Sequence, residues 1–141
     1  MNAGILIPIL TVVFANVLYH VASKGIPTNQ NAFMGLIVNY ATALIACIAL
    51  FIATPHNSAF GEFTKSNWAA VVMGLSITGV ELGFLYIYRN GGEISTASLI
   101  ASILLALIML PVGIFFYGEA LTATKIIGAL LCIAGIIVIS I

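Results

Sequence analysis

Aspartate is missing from this chain altogether, and four glutamates with four Lys and Arg supply all of its ordinary charge. Charged residues make up 6% of the sequence, against roughly 25% in a soluble domain. A soluble fold needs a polar shell, and nothing here can build one. The formal net charge is zero, so no basic patch exists to neutralise phosphates, and a nucleic-acid partner is excluded. Cysteine is scarce as well. Cys47 and Cys132 each sit in an apolar run, where a thiol behaves as a small hydrophobe, so neither a disulfide nor a metal site is expected. The only histidines, His20 and His56, lie in separate segments, and no Gly-x-Ser-x-Gly or paired-cysteine pattern occurs. The chain therefore carries no soluble-enzyme constellation and no cofactor motif.

What is present is hydrocarbon. Apolar residues make up 62% of the chain, and the mean hydropathy is +1.24. A membrane-spanning helix needs about 20 mostly apolar residues. Five such runs stand out, over about 3–21, 33–53, 68–88, 96–117 and 125–141. Polar punctuation separates them: KGIPTNQN (24–31), TPHNSAFGEFTKSN (54–67), YRNGGEIST (88–96) and GEALTATK (118–125). Ser66 or Asn67 is placed to cap the third helix, and Ser95 or Thr96 the fourth. The expected fold is an all-α integral membrane protein of five transmembrane helices in one domain, with no extramembrane domain. Nothing basic precedes the first apolar run and no small-x-small site follows it, so a cleaved signal peptide is not expected.

With five spans, Lys65 and Lys125 fall on one side of the membrane and Lys24 and Arg89 on the other. The positive-inside rule thus finds no bias. Either features outside the charge count fix the orientation, or the chain inserts both ways and pairs as an antiparallel homodimer. The second reading recreates the inverted repeats on which many secondary transporters are built, with the substrate site near the midplane.

The segment PVGIFFYGEALTATKIIGALLCIAGIIVIS (111–140) resembles the end of an EamA-type half in the drug/metabolite transporter superfamily. There a proline-containing fourth helix leads into a Gly-Glu turn, a Leu-Thr and a Gly-rich fifth helix. Gly118, Glu119, Leu121, Thr122, Gly128 and Gly135 match that pattern. The first helix, with Lys24 ahead of Pro27, is similar but lacks the Trp-Gly pair common in the family. The arginine often found early in the second helix is absent; Asn39 and Tyr40 lie in that region. Most members carry ten helices as two inverted halves, so the resemblance implies a transporter made from two copies of this unit. It also implies a structural role for Glu119 in the turn.

Charge at the bilayer centre costs about 2.5–3.5 kcal/mol on insertion scales, so intramembrane ionisable residues face a cavity or a partner. Glu81 is the clearest candidate. Thr78, Phe84, Leu85 and Tyr88 share its helix face, while Gly79 and Gly83 form a small-xxx-small pair roughly opposite, suited to close helix packing. Glu81 is read either as a hydrogen-bonded structural carboxyl or as a coupling or binding group. A carboxyl that is costly to ionise suits proton binding and release. Asn16, His20 and Lys24 form an i, i+4 polar stripe on the first helix, with Tyr19 and Ser23 beside it. His20 is either interfacial or a proton relay meeting Glu81, and Lys24 reads as a snorkelling anchor. Asn39, Tyr40, Ser98 and Ser102 either line the same space or hold helices together. Pro111 is a kink that serves as a hinge or as packing geometry. If Tyr19, Tyr40 and Tyr88 face inward with Glu81, they make an aromatic, anionic box attractive to organic cations. His56, Glu62, Lys65 and Glu93 read as solvated loop residues.

The function expected is a proton-coupled secondary exporter of a small metabolite or organic cation, in the cytoplasmic (inner) membrane of a prokaryote. Its partners would be substrate, proton, membrane lipid and a second copy of the chain. The rival reading is a passive pore, or a non-transporting subunit of a heteromeric complex.

Overall fold

The computed structural model describes residues 3–55 and 58–139. His56 lies outside them, as do the last two residues of the expected fifth helix. The described residues form six helices in place of the five expected: α1 (Ala3–Gly25), α2 (Ala32–Ala53), α3 (Ala59–Thr64), α4 (Trp68–Arg89), α5 (Ile94–Tyr117) and α6 (Ala123–Ile139). The additional one, α3, is a six-residue turn inside the polar 54–67 linker, capped by the Ser58 hydroxyl accepting from Gly61 N. The Lys65–Glu62 ion pair, 2.7 Å long, closes its end, so these two residues pair with each other rather than standing alone in a loop.

Among the described residues, four helices are long and apolar enough to cross a membrane: Gly4–Gly25, Ala32–Ala53, Trp68–Arg89 and Ile94–Tyr117. The fifth apolar helix, α6, has 17 residues. The five-span expectation is therefore met by length in four helices.

Helix ends follow local chemistry. α1 runs one turn past the expected Val21, carrying Lys24 into its last turn, where a cation suits the negative helix end. Pro27 then bars helical geometry at Ile26. Asn31 caps α2, its Oδ1 accepting from Phe33 N at 2.9 Å and Met34 N at 3.3 Å. Asn67 caps α4 as expected, accepting from Ala69 N at 3.0 Å. The expected caps of α5 are displaced. Ser95 and Thr96 lie inside its first turn, and Glu93 stands at the N-cap without a side-chain capping bond. A carboxylate at the positive helix end favours the earlier start, and Glu93 accepts from the Thr96 hydroxyl at 3.2 Å. α5 runs unbroken across Pro111.

The chain divides into two compact units, Met1–Asn90 and Gly91–Ile141. In the first, α4 packs against both α1 and α2. Its core is small: Ala32, Leu36, Leu85 and Tyr88 are the buried apolar residues, and Ser23 is buried with them. In the second, α5 packs against α6. Gly118 ends α5 in the left-handed region at φ 64°, and Glu119 N donates to Gly113 O at 3.0 Å. The Glu119 carboxyl then folds back onto Gly113 and pairs with Lys125 at 2.9 Å. Most large apolar side chains on every long helix face outward, which suits lipid and not water.

Candidate functional site

α4 supplies the centre of the first unit. Residues 81, 85 and 88 recur at helical spacing and point to one side, so Glu81 and Tyr88 share a face with Leu85, the most buried side chain at 1% exposure. That face packs on α1 and α2. The Gly79/Gly83 face makes no close contact within the chain: a Cβ at either glycine would meet nothing within 4 Å among the described residues. Shape decides this. The side carrying Leu85 and the aromatic rings has surface to bury, whereas two glycines have almost none.

Between α1 and α2 lies a cavity of about 540 Å³, floored by Glu81 and Leu85. α1 lines it with Leu18, Tyr19, Ala22 and Ser23 among others; α2 lines it with Gly35, Leu36, Val38 and Asn39. Gln30, from the connecting loop, joins them. Glu81 is half-buried there, and its Oε2 accepts a 2.7 Å hydrogen bond from Asn39 Nδ2, joining α4 to α2. The Tyr40 hydroxyl is directed toward Thr78 and Glu81, and the Tyr19 hydroxyl toward Ser23. Neither hydroxyl is exposed, and neither closes a hydrogen bond of good geometry. Thr78 bonds its own helix instead, donating to Gly74 O at 3.1 Å.

His20 sits at the contact between α1 and α4. Its Nδ1 is joined to the Tyr88 hydroxyl by a 2.8 Å hydrogen bond whose direction follows the imidazole tautomer. Its ring packs edge-on against Phe84 with centroids 4.6 Å apart, and Phe84 stacks on Tyr88 at 6.0 Å. His20 thus latches α1 to α4, and Asn39 is the residue hydrogen-bonded to Glu81. Tyr19 lines the cavity and His20 does not. The same cluster holds Tyr88, and of Tyr19, Tyr40 and Tyr88 only Tyr19 lines the cavity. Asn16 is exposed on α1 and takes no part in the lining. Ser98 and Ser102 belong to the second unit, where the Ser98 hydroxyl donates to Ile94 O at 2.6 Å within α5.

Two contributors escaped the sequence reading. Arg89, counted there as a loop charge, donates through Nη2 to Gln30 O at 2.6 Å and Pro27 O at 3.4 Å, binding the α1–α2 loop to the end of α4. Gln30 lines the cavity mouth from that loop. No spacing signals either, because both partners of Arg89 are backbone carbonyls brought near by the tertiary fold. Ser23 carried a weak signal, since it lies one turn from Tyr19 on the same face.

Long apolar helices around an internal carboxylate define an integral membrane protein. The chain matches the EamA-like transporter family over residues 3–141 and belongs to it. It is accordingly a membrane transporter of the drug/metabolite type and not an enzyme, consistent with one half of such a transporter. No curated protein and no solved structure matches the chain.

Proposed function

We propose that the chain is a proton-coupled exporter of a small metabolite or organic cation, working as an antiparallel homodimer in the cytoplasmic membrane of a prokaryote. The observation that carries this reading is the Asn39–Glu81 pair at the floor of a cavity between helices. A carboxylate there is expensive unless partnered; one amide donor steadies it while leaving acceptor capacity for a proton or a solute. Glu81 then binds either of them, and competition couples the two fluxes. Tyr19, Asn39 and Ser23 position the solute, while His20 and Tyr88 fix α1 against α4.

The dimer is supported by the unpartnered Gly79/Gly83 face of α4, which admits close approach by a second helix. The absence of charge bias among Lys24, Lys65, Arg89 and Lys125 suits two opposite insertions. The deciding experiment is transport in proteoliposomes. Wild-type protein should move its substrate against a gradient when a proton gradient is imposed, with saturation. Glu81→Gln should lose uphill movement. Equal rates for wild type and Glu81→Gln would remove Glu81 from the mechanism, and unsaturable downhill flux would favour a pore.

A further inference from the structure

We propose that the cavity accepts a protonated amine that still carries N–H bonds in preference to a quaternary ammonium ion, with Asn39 as a specificity-determining residue. This rests on the reading of Glu81 as the solute-binding carboxylate and narrows its substrate class.

The lining contains one charged residue, Glu81, and no Lys, Arg or His. Anionic solutes therefore meet an uncompensated carboxylate, and cations meet a complementary one. Arg89, the cation on the same helix, is not a lining residue, and its Nη2 donates to the backbone carbonyls of Gln30 and Pro27.

Two chemistries hold an organic cation. A quaternary ammonium ion has no donor and is bound by aromatic faces arranged around it. Here the lining offers one ring, that of Tyr19. Phe84 and Tyr88 stack on each other and meet His20 edge-on, and neither ring lines the cavity. An ammonium with N–H bonds needs acceptors, and these are plentiful. A carboxylate accepts about four hydrogen bonds, of which Asn39 uses one. Because Asn39 donates its Nδ2–H to Glu81, its amide carbonyl Oδ1 is left as a second acceptor beside the carboxylate. Gln30 and Ser23 add a side-chain carbonyl and a hydroxyl toward the loop, and Ser23 is 7% exposed, a polar group held inside the fold. Leu18, Leu36 and Leu85 furnish a wall for an apolar body. The arrangement is a hydrogen-bonding clamp with an apolar flank.

The test compares cyclohexylammonium with cyclohexyltrimethylammonium, which share an apolar body and are both small beside a 540 Å³ cavity. Binding to the purified full-length protein in detergent is measured by titration calorimetry at one pH. Charge-assisted hydrogen bonds are roughly twice as strong as neutral ones, so cyclohexylammonium should bind about tenfold more tightly. Asn39→Leu, close in volume, should weaken cyclohexylammonium and bring the ratio toward one. If that variant fails to fold, the wild-type ratio decides alone. Equal or tighter binding of the trimethyl ion, or no binding of either probe, overturns the proposal. An unchanged ratio in Asn39→Leu removes Asn39 from it. Glu81→Gln separates the two levels. If it binds cyclohexylammonium like wild type, the reading of Glu81 fails; if it loses both probes while the wild-type ratio is one, only the selectivity fails.

Discussion

Glu81 and Asn39 lie 42 positions apart in the chain yet within 2.7 Å in the fold. Each was visible in the sequence as a polar residue in an apolar run, but their pairing was not, since periodicity assigns faces and not neighbours. The same holds for His20 and Tyr88. Interhelical hydrogen bonds in membrane proteins average about 0.6 kcal/mol by double-mutant cycles. Tyr88→Phe and His20→Phe, singly and together, should therefore show a coupling of about that size in thermal unfolding of the purified protein. Gly113 shows another residue-level constraint. A Cβ there would stand 3.0–3.2 Å from the atoms of the Glu119 carboxyl, tighter than ordinary contact. Alanine normally gains about 1 kcal/mol over glycine in a helix. Gly113→Ala should gain nothing in the wild-type background and recover that stability in Glu119→Ala, which melting curves of the four proteins would show.

At the level of elements, α4 is the member that makes the first unit. It meets α1 through the His20 cluster, α2 through Asn39, and the loop between them through Arg89. Hydrogen bonds to charged groups contribute about 1.5–3 kcal/mol each. Arg89→Ala should therefore loosen the loop, and amide hydrogen exchange over residues 26–31 should quicken by at least tenfold while exchange within α5 stays unchanged. A uniform acceleration along the chain would instead indicate general destabilisation. Asn31→Ala, which removes the α2 cap, should cost about 1 kcal/mol and quicken exchange only in the first turn of α2. The α4 cap was legible to within one residue, Ser66 or Asn67, because both capping residues directly precede an apolar run. The start of α5 was not, because a carboxylate at the positive end of a helix competes with the hydroxyls that follow it.

Across the whole molecule, the exposed apolar surface sets the environment. Ile52, Val138 and Phe115 are 70%, 72% and 82% exposed, and only lipid or another apolar chain can cover such faces. Dual insertion gives the sharpest whole-molecule prediction. A membrane-impermeant amine reagent applied to sealed cells should modify both Lys24 and Lys65, each in part of the population, as read by peptide mass. Modification of one alone would mean a fixed orientation.

The sequence by itself determined the solvent of this protein, the apolar helices, and the family, because composition and local periodicity carry that information. It also singled out Glu81, since a lone carboxylate in hydrocarbon is conspicuous wherever it folds. Only the tertiary structure decided what Glu81 touches. Asn39 stands beside it and His20 does not, because the rotation of each helix about its axis depends on which bulky side chains must be buried together. Leu85, Phe84 and Tyr88 fixed that rotation for α4. The glycines at 79 and 83, with little surface to bury, were left facing outward.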